Sequence, residues 1–227
     1  MVMLQEYKAI DIETIANEDV IDRLPDPKVD SRLKDPDKIK AAIEDAKVKQ
    51  IADMALSPLT GRVASVAVYD GNFFTFEHLH TTKHGSNEKD LIEHIFSNFI
   101  GADESNYATR KIITCNGINF DIPYLYTRAM ILRASIGSIP MTVYTRKYTC
   151  DYHIDIAQVL GNWSHEAKYN SLDKMSRFVL DNKKEDFDVT RIIDIIESGD
   201  VAELKKYNEK DAQLTFEIAK QMNGYLF

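Results

Sequence analysis

The sequence predicts a mixed α/β fold, a sheet flanked by helices. Strand signals come early in the chain, strand and helix signals alternate in the middle, and residues 154–223 read almost entirely as helix. That order argues against a purely doubly wound parallel sheet, in which strand and helix would alternate throughout. The 227 residues are read as one domain (1–227), on a prior of roughly 100–200 residues per domain. An insertion at about 17–60 follows the first strand.

Residues 5–12 (QEYKAIDI) read as that first strand, ending in acids. The stretch LPDPKVDSRLKDPDK is an extended arm, because Pro25, Pro27 and Pro36 disfavour regular structure. Asp35-Pro36 has the form of a helix cap and first helical position, so a helix is predicted over about 36–56. In GRVASVAVYDGNFFTF (61–76), Asp70-Gly71 is a turn dipeptide between two strand-forming runs, which marks a hairpin. An amphipathic helix is predicted over 88–100 and an apolar strand over 111–115, with a helix beginning near Asp121. Further helices are predicted at 154–160, 171–180, 188–198 and 200–222.

A hydrophobic content of 44% supports an ordinary core. No run approaches the ~18 apolar residues of a membrane span. The N-terminus lacks the features of a secretory signal, so a cytoplasmic location is expected. Cys115 and Cys150 fit free thiols in a reducing compartment. The net charge of −8 argues against tight, sequence-independent duplex binding, which draws on Lys and Arg. It permits an enzyme that holds one strand end, particularly if divalent cations neutralise some of the acids.

The acids of interest fall in three groups. Asp11 and Glu13 are two apart on a strand and so share a face, where both can meet one cation. An Asp-x-Glu pair arises about once by chance in so acidic a chain, and the bland alternative is two solvated charges at a strand end. Apolar Ala9, Ile10 and Ile12 around them favour a central strand. Asp121 follows an apolar strand and the turn Asn116-Gly117, at the sheet end where open α/β sheets place their sites. Its alternative reading is a helix cap ahead of Pro123. Tyr207 and Asp211 lie one helical turn apart and can address a common point. The same spacing recurs at Tyr7/Asp11 and Tyr169/Asp173, so spacing alone identifies nothing. The three groups in order carry the weight.

In that order the sequence resembles the DEDD family of 3′–5′ exonucleases, tyrosine subclass. It is similar to the proofreading domain of family B DNA polymerases and to related stand-alone bacterial and phage exonucleases. Asp11-Ile12-Glu13-Thr14, Asn116 through Phe120-Asp121, and Tyr207 with Asp211 carry the resemblance. SLDKMSRFVL (171–180) is similar to the helix before the third motif. The histidine subclass would place histidine at position 206, where Lys206 stands.

The resemblance implies an RNase H-like fold and release of nucleoside monophosphates from the 3′ end of single-stranded DNA. It also implies two Mg²⁺ or Mn²⁺ ions about 4 Å apart, which activate a water and stabilise the leaving oxygen. Asp11 would bridge both ions, Glu13 and Asp211 would complete one site, and Asp121 would support the other. Tyr207, with a reference pKa of ~10, would orient the water rather than act as base. Ile12, Thr14, Asn116 and Phe120 would contact the terminal nucleotides. The length leaves no room for a polymerase region, so any polymerase partner is expected to act in trans.

Two alternatives accompany this reading: an exoribonuclease using the same chemistry, and a nucleic-acid-binding module that has lost turnover. Other signals rank lower. YTRKYTCDYH (144–153) could stack single-stranded bases but more often marks an exposed strand or loop. His78, His80 and His84 lack partner ligands at metal spacing. Asp151 and Asp155 read as turn or cap residues, Asp155 with a possible supporting role, and Trp163 reads as a packing residue.

Overall fold

A computed structural model describes residues 2–82, 85–102, 108–165, 167 and 170–227, apart from the side chains of 81–82 and 85–86. Two compact units are formed, one by residues 1–13 with 63–227 and the other by residues 14–62.

A five-stranded sheet organises the first unit. Its strands are β1 (Tyr7–Ala16), β2 (Gly61–Tyr69), β3 (Phe74–His78), β6 (Lys111–Thr114) and β7 (His153–Asp155), in the order β3-β2-β1-β6-β7. The two-residue strands β4 (Thr81–Thr82) and β5 (Gly85–Ser86) pair separately. β2 and β3 form the antiparallel hairpin. Asp70 Oδ1 closes its turn by accepting from the Asn72 and Phe73 amides, and Gly71 adopts φ +96°.

β1 runs parallel to β6, with Ala9 opposite Ile113, and β6 runs parallel to β7, with Thr114 opposite Asp155. Parallel strands finish together. Asp11 and Glu13, the 115–120 loop and Asp155 therefore gather at one end of the sheet. The three residues His153–Asp155 are strand, although the sequence predicts helix from 154; only α4 (Ile156–Leu160) is helical. Three residues are too few to show the period-two alternation that would have marked them.

Helices α5 (Leu172–Val179) and α7 (Ala202–Met222) cover one face of the sheet. Leu172, Met175, Ala212 and Phe216 join Tyr7, Ala9, Ile113 and Ile154 in a single buried cluster. α5 begins at Ser171, whose side chain accepts from the Lys174 amide. α6 (Ile192–Ser198) ends on Gly199 at φ +76°.

α2 (Glu88–Asn98) and α3 (Asp121–Leu132) are joined by a buried ion pair. Arg128 Nη2 lies 2.6 Å from Glu88 Oε2, and each residue is 3% exposed. Glu88 Oε1 also accepts from the Val63 amide at 2.9 Å, tying both helices to β2.

The second unit contains the arm and α1 (Pro36–Asp53). Asp35 caps α1 by accepting from the Asp37 and Lys38 amides, with Pro36 at the first position, as the sequence predicts. None of α1's residues is buried despite its nearly helical apolar spacing. Within this unit Thr14 Oγ1 donates to the Ala55 carbonyl and Gln50 Nε2 to that of Pro25.

Removing one member of a buried ion pair strands the other. Glu88→Ala is expected to cost about 3–5 kcal/mol of stability, measured by urea unfolding. Replacing both residues, as in Glu88→Leu/Arg128→Met, should cost markedly less.

Candidate active site

Period two along β1 determines what its acids face. Tyr7 and Ala9 pack in the cluster that includes α7. Asp11 and Glu13 continue the same side of the strand, so they meet α7 further along. There Tyr207 and Asp211 project from the helix one turn apart. Ligand oxygens of Asp11, Glu13 and Asp211 all lie within 4.8 Å of one another. A hard cation bound to oxygen at about 2.0–2.6 Å could span such a group.

Asp121 does not belong to that trio but adjoins it. Its carboxylate accepts from the Ile12 amide, and its charge acts on both Asp11 and Glu13. It is the first residue of α3; the cap position is occupied by Phe120, which makes no side-chain cap bond. The capping alternative for Asp121 is thereby corrected. Its carboxylate is favoured in the charged form by its own amide and by the Ile12 amide of β1, and no side-chain cap bond is made at the helix start.

The environment opposes ionisation of all four acids. Burial raises the pKa of Asp11 well above the usual carboxylate range, and the charges of Asp211, Glu13 and Asp121 add to the effect. Burial lifts Glu13 to about 8 and Asp121 to about 7. Asp211 is also raised, chiefly by burial, against the opposing pull of Lys184. Its Oδ1 is buried with no hydrogen-bond partner, while Oδ2 lies 2.5 Å from the Lys184 ammonium. An orphaned anionic oxygen beside two further carboxylates suits a bound cation.

Three further residues hold this arrangement. Lys184 donates to Tyr207 as well as pairing with Asp211, and its Nζ sits 4.8 Å from the centroid of the Tyr207 ring. Phe187 stacks on that ring at 4.4 Å and 18°. Asn208 is fully buried and donates from Nδ2 to Asp11 Oδ2 at 2.6 Å, while its Oδ1 accepts from Ser65. Lys184, Phe187 and Asn208 are not among the site residues predicted from the sequence. Asn208 carried one usable signal, its placement three residues before Asp211 and so on the same helix face. Lys184 carried none, since it lies on a loop 27 residues away in the chain.

The second motif is fixed from beneath. Asn116 has φ +65°, and Gly117 follows so closely on Thr114 that a Cβ would stand 2.2 Å from its hydroxyl oxygen. Buried Asp155 accepts from the amides of Asn116 and Ile118 as well as those of Ala157 and Gln158. It therefore caps α4, as expected, and anchors the loop leading to Asp121. The Asn116 side chain accepts from Asn119, and the Phe120 ring lies 5.4 Å from that of Tyr124. Ile12 is 6% exposed, and the Thr14 hydroxyl is engaged by Ala55.

The remaining signals resolve individually. Tyr144 and His153 are buried, whereas Tyr148 and Tyr152 are exposed. Trp163 is half-buried with its ring 5.8 Å from that of Tyr148. Cys115 and Cys150 are free thiols. The rings of His78 and His80 lie 4.2 Å apart; no metal-ligating trio forms around them among the described residues, and His84 and Tyr169 lie outside those residues. No described helix is long and apolar enough to cross a membrane.

A family model described as a predicted 3′–5′ exonuclease related to the exonuclease domain of PolB matches residues 56–223. The match takes in Asn116, Asp121, Tyr207 and Asp211, and begins after Asp11 and Glu13. DNA polymerase 1 of Sulfurisphaera ohwakuensis is 31% identical over 125 residues, 51% of this chain and 14% of the polymerase. DNA polymerase 1 of Saccharolobus solfataricus is 32% identical over 117 residues, 47% of this chain and 13% of the polymerase. The chain thus aligns with a small part of each relative's length.

Because Glu13 and Asp121 hold protons in the fold up to about 8 and about 7, against about 4 when unfolded, the folded state binds more protons between those limits. Stability therefore falls as pH rises through 7 and 8. Thermal melts in chelator should show a lower Tm at about pH 9 than at about pH 6, with a shallower decline for Glu13→Gln.

Proposed function

Since the chain belongs to the family of predicted 3′–5′ exonucleases related to the exonuclease domain of PolB, we propose that it shortens single-stranded DNA from the 3′ end by divalent-cation-dependent phosphodiester hydrolysis, releasing nucleoside monophosphates. The observation that carries this reading is the convergence of Asp11, Glu13 and Asp211, with one oxygen of Asp211 buried and unpartnered. The resemblance to one stretch of archaeal DNA polymerases supports DNA as the strand and a DNA polymerase as the partner.

Asp11, Glu13 and Asp211 would hold one Mg²⁺ or Mn²⁺ ion, and Asp11 with Asp121 a second. Bound there, the ions supply an activated water and neutralise charge on the leaving oxygen. Asn208 fixes the Asp11 carboxylate through its 2.6 Å hydrogen bond. Burial, with the charges of Glu13 and Asp211, raises the Tyr207 hydroxyl far above neutral pH, so it remains protonated. It acts as an oriented hydrogen-bond donor and acceptor for the attacking water, not as a base. Asn116 and Phe120, on the loop anchored by Asp155, receive the terminal nucleotide. A single strand suits them, because a stacked base must be free of its complement.

With 5′-labelled oligonucleotides and Mg²⁺ or Mn²⁺, the expected result is stepwise shortening from the 3′ end that stops in chelator. Asp11→Ala should lose at least about a thousandfold in kcat. Tyr207→Phe should lose roughly tenfold to a hundredfold while keeping cation affinity. Digestion from the 5′ end, or undiminished activity in chelator, would overturn the assignment. Matched DNA and RNA strands decide which sugar is preferred.

A further inference from the structure

The helix that supplies Tyr207 and Asp211 carries a second charged stripe. Lys206 and Lys210 each precede one of these residues by a single position, and so point about 100° around the helix. With Lys205 and Glu209 they border a groove of about 310 Å³, bounded across from the helix by Phe74 and Glu185. The groove adjoins the acidic cluster, because Glu185 follows directly on Lys184, which pairs with Asp211.

Its chemistry differs from the rest of this acidic chain. Glu185 is committed to Lys206 at 2.9 Å, and Glu209 to Lys205 at 3.8 Å. Among the described residues no acid pairs with Lys210. Phe74 is 40% exposed. One side of its ring stacks on Tyr69 at 4.4 Å and 24°, and Tyr69 in turn meets Phe216 of α7 edge-on at 5.4 Å. A ring supported in this way is already ordered, so stacking a flat partner on its open face costs little entropy.

We propose that this groove carries the single strand upstream of the terminal nucleotide, one base stacked on Phe74 and a phosphate set against Lys210. An aromatic face beside ammonium groups matches the alternation of base and phosphate in a single strand; a duplex would hide the base face. The proposal rests on the exonuclease reading of the adjoining acids. It adds a contact that only strands longer than the terminal dinucleotide can make.

The test compares kcat/KM for a dinucleotide and for a ten-nucleotide strand, over a series of salt concentrations. In the native chain the longer strand should be favoured. Lys210→Ala should cut that length preference about tenfold and reduce the salt slope of KM for the long strand by about 0.7. Phe74→Leu preserves an apolar cover on Tyr69; it should cut the preference about tenfold, the loss of one stacked base, and leave the salt slope as it was. Circular dichroism melts establish that the variants are folded. Folded variants with native length preference and salt slope overturn the groove assignment alone. A native chain that digests neither substrate overturns the exonuclease reading and the groove with it.

Discussion

Mutual repulsion among buried carboxylates is the constraint around which the rest of this protein is arranged. Asp11, Glu13 and Asp211 bring oxygens within 4.8 Å of one another, and Asp121 adds its field from α3. In such a place the acids either keep protons or share a cation. Lys184 supplies part of that positive charge from within the chain, on Asp211 Oδ2, and leaves Oδ1 bare.

Holding like charges together requires rigid supports, and these are buried hydrogen bonds and one buried ion pair. Asn208 joins Asp11 to Ser65 and so links α7, β1 and β2. Asp155 gathers four amides and fixes the 116–118 turn against the start of α4. Glu88 and Arg128 hold α2 to α3, the helix that begins with Asp121. Each support is itself a buried polar group that must be satisfied, which makes its geometry demanding. The same helix that closes the acidic cluster turns its lysines toward Phe74, so acidic and basic surfaces lie one helical stripe apart.

Much of this was legible in the chain. The Asp35-Pro36 cap, the Asp70-Gly71 hairpin and the Ser171 helix start rest on interactions between residues two or three apart, and local spacing expresses them directly. β7 was hidden because its three residues are too short for a pattern, and Asp121 could be read as a cap because a carboxylate at a helix start serves either purpose. Lys184 and Phe187 belong to a loop whose contact with Tyr207 depends on how α5, α6 and α7 pack.

The sequence by itself determined the mixed α/β class, the pairing of Asp11 with Glu13 on one strand face, and the alignment of Tyr207 with Asp211 on one helix face. Periods of two and 3.6 residues are intrinsic to backbone geometry and need no partner. Only the tertiary structure decided that β1 and α7, some 200 residues apart in the chain, present those faces to each other. It alone decided that Asn208 and Lys184 would share the site and that Asp121 would take its hydrogen bond from Ile12. Those outcomes follow from burying the apolar sides of sheet and helices together, a cooperative packing that no local spacing records.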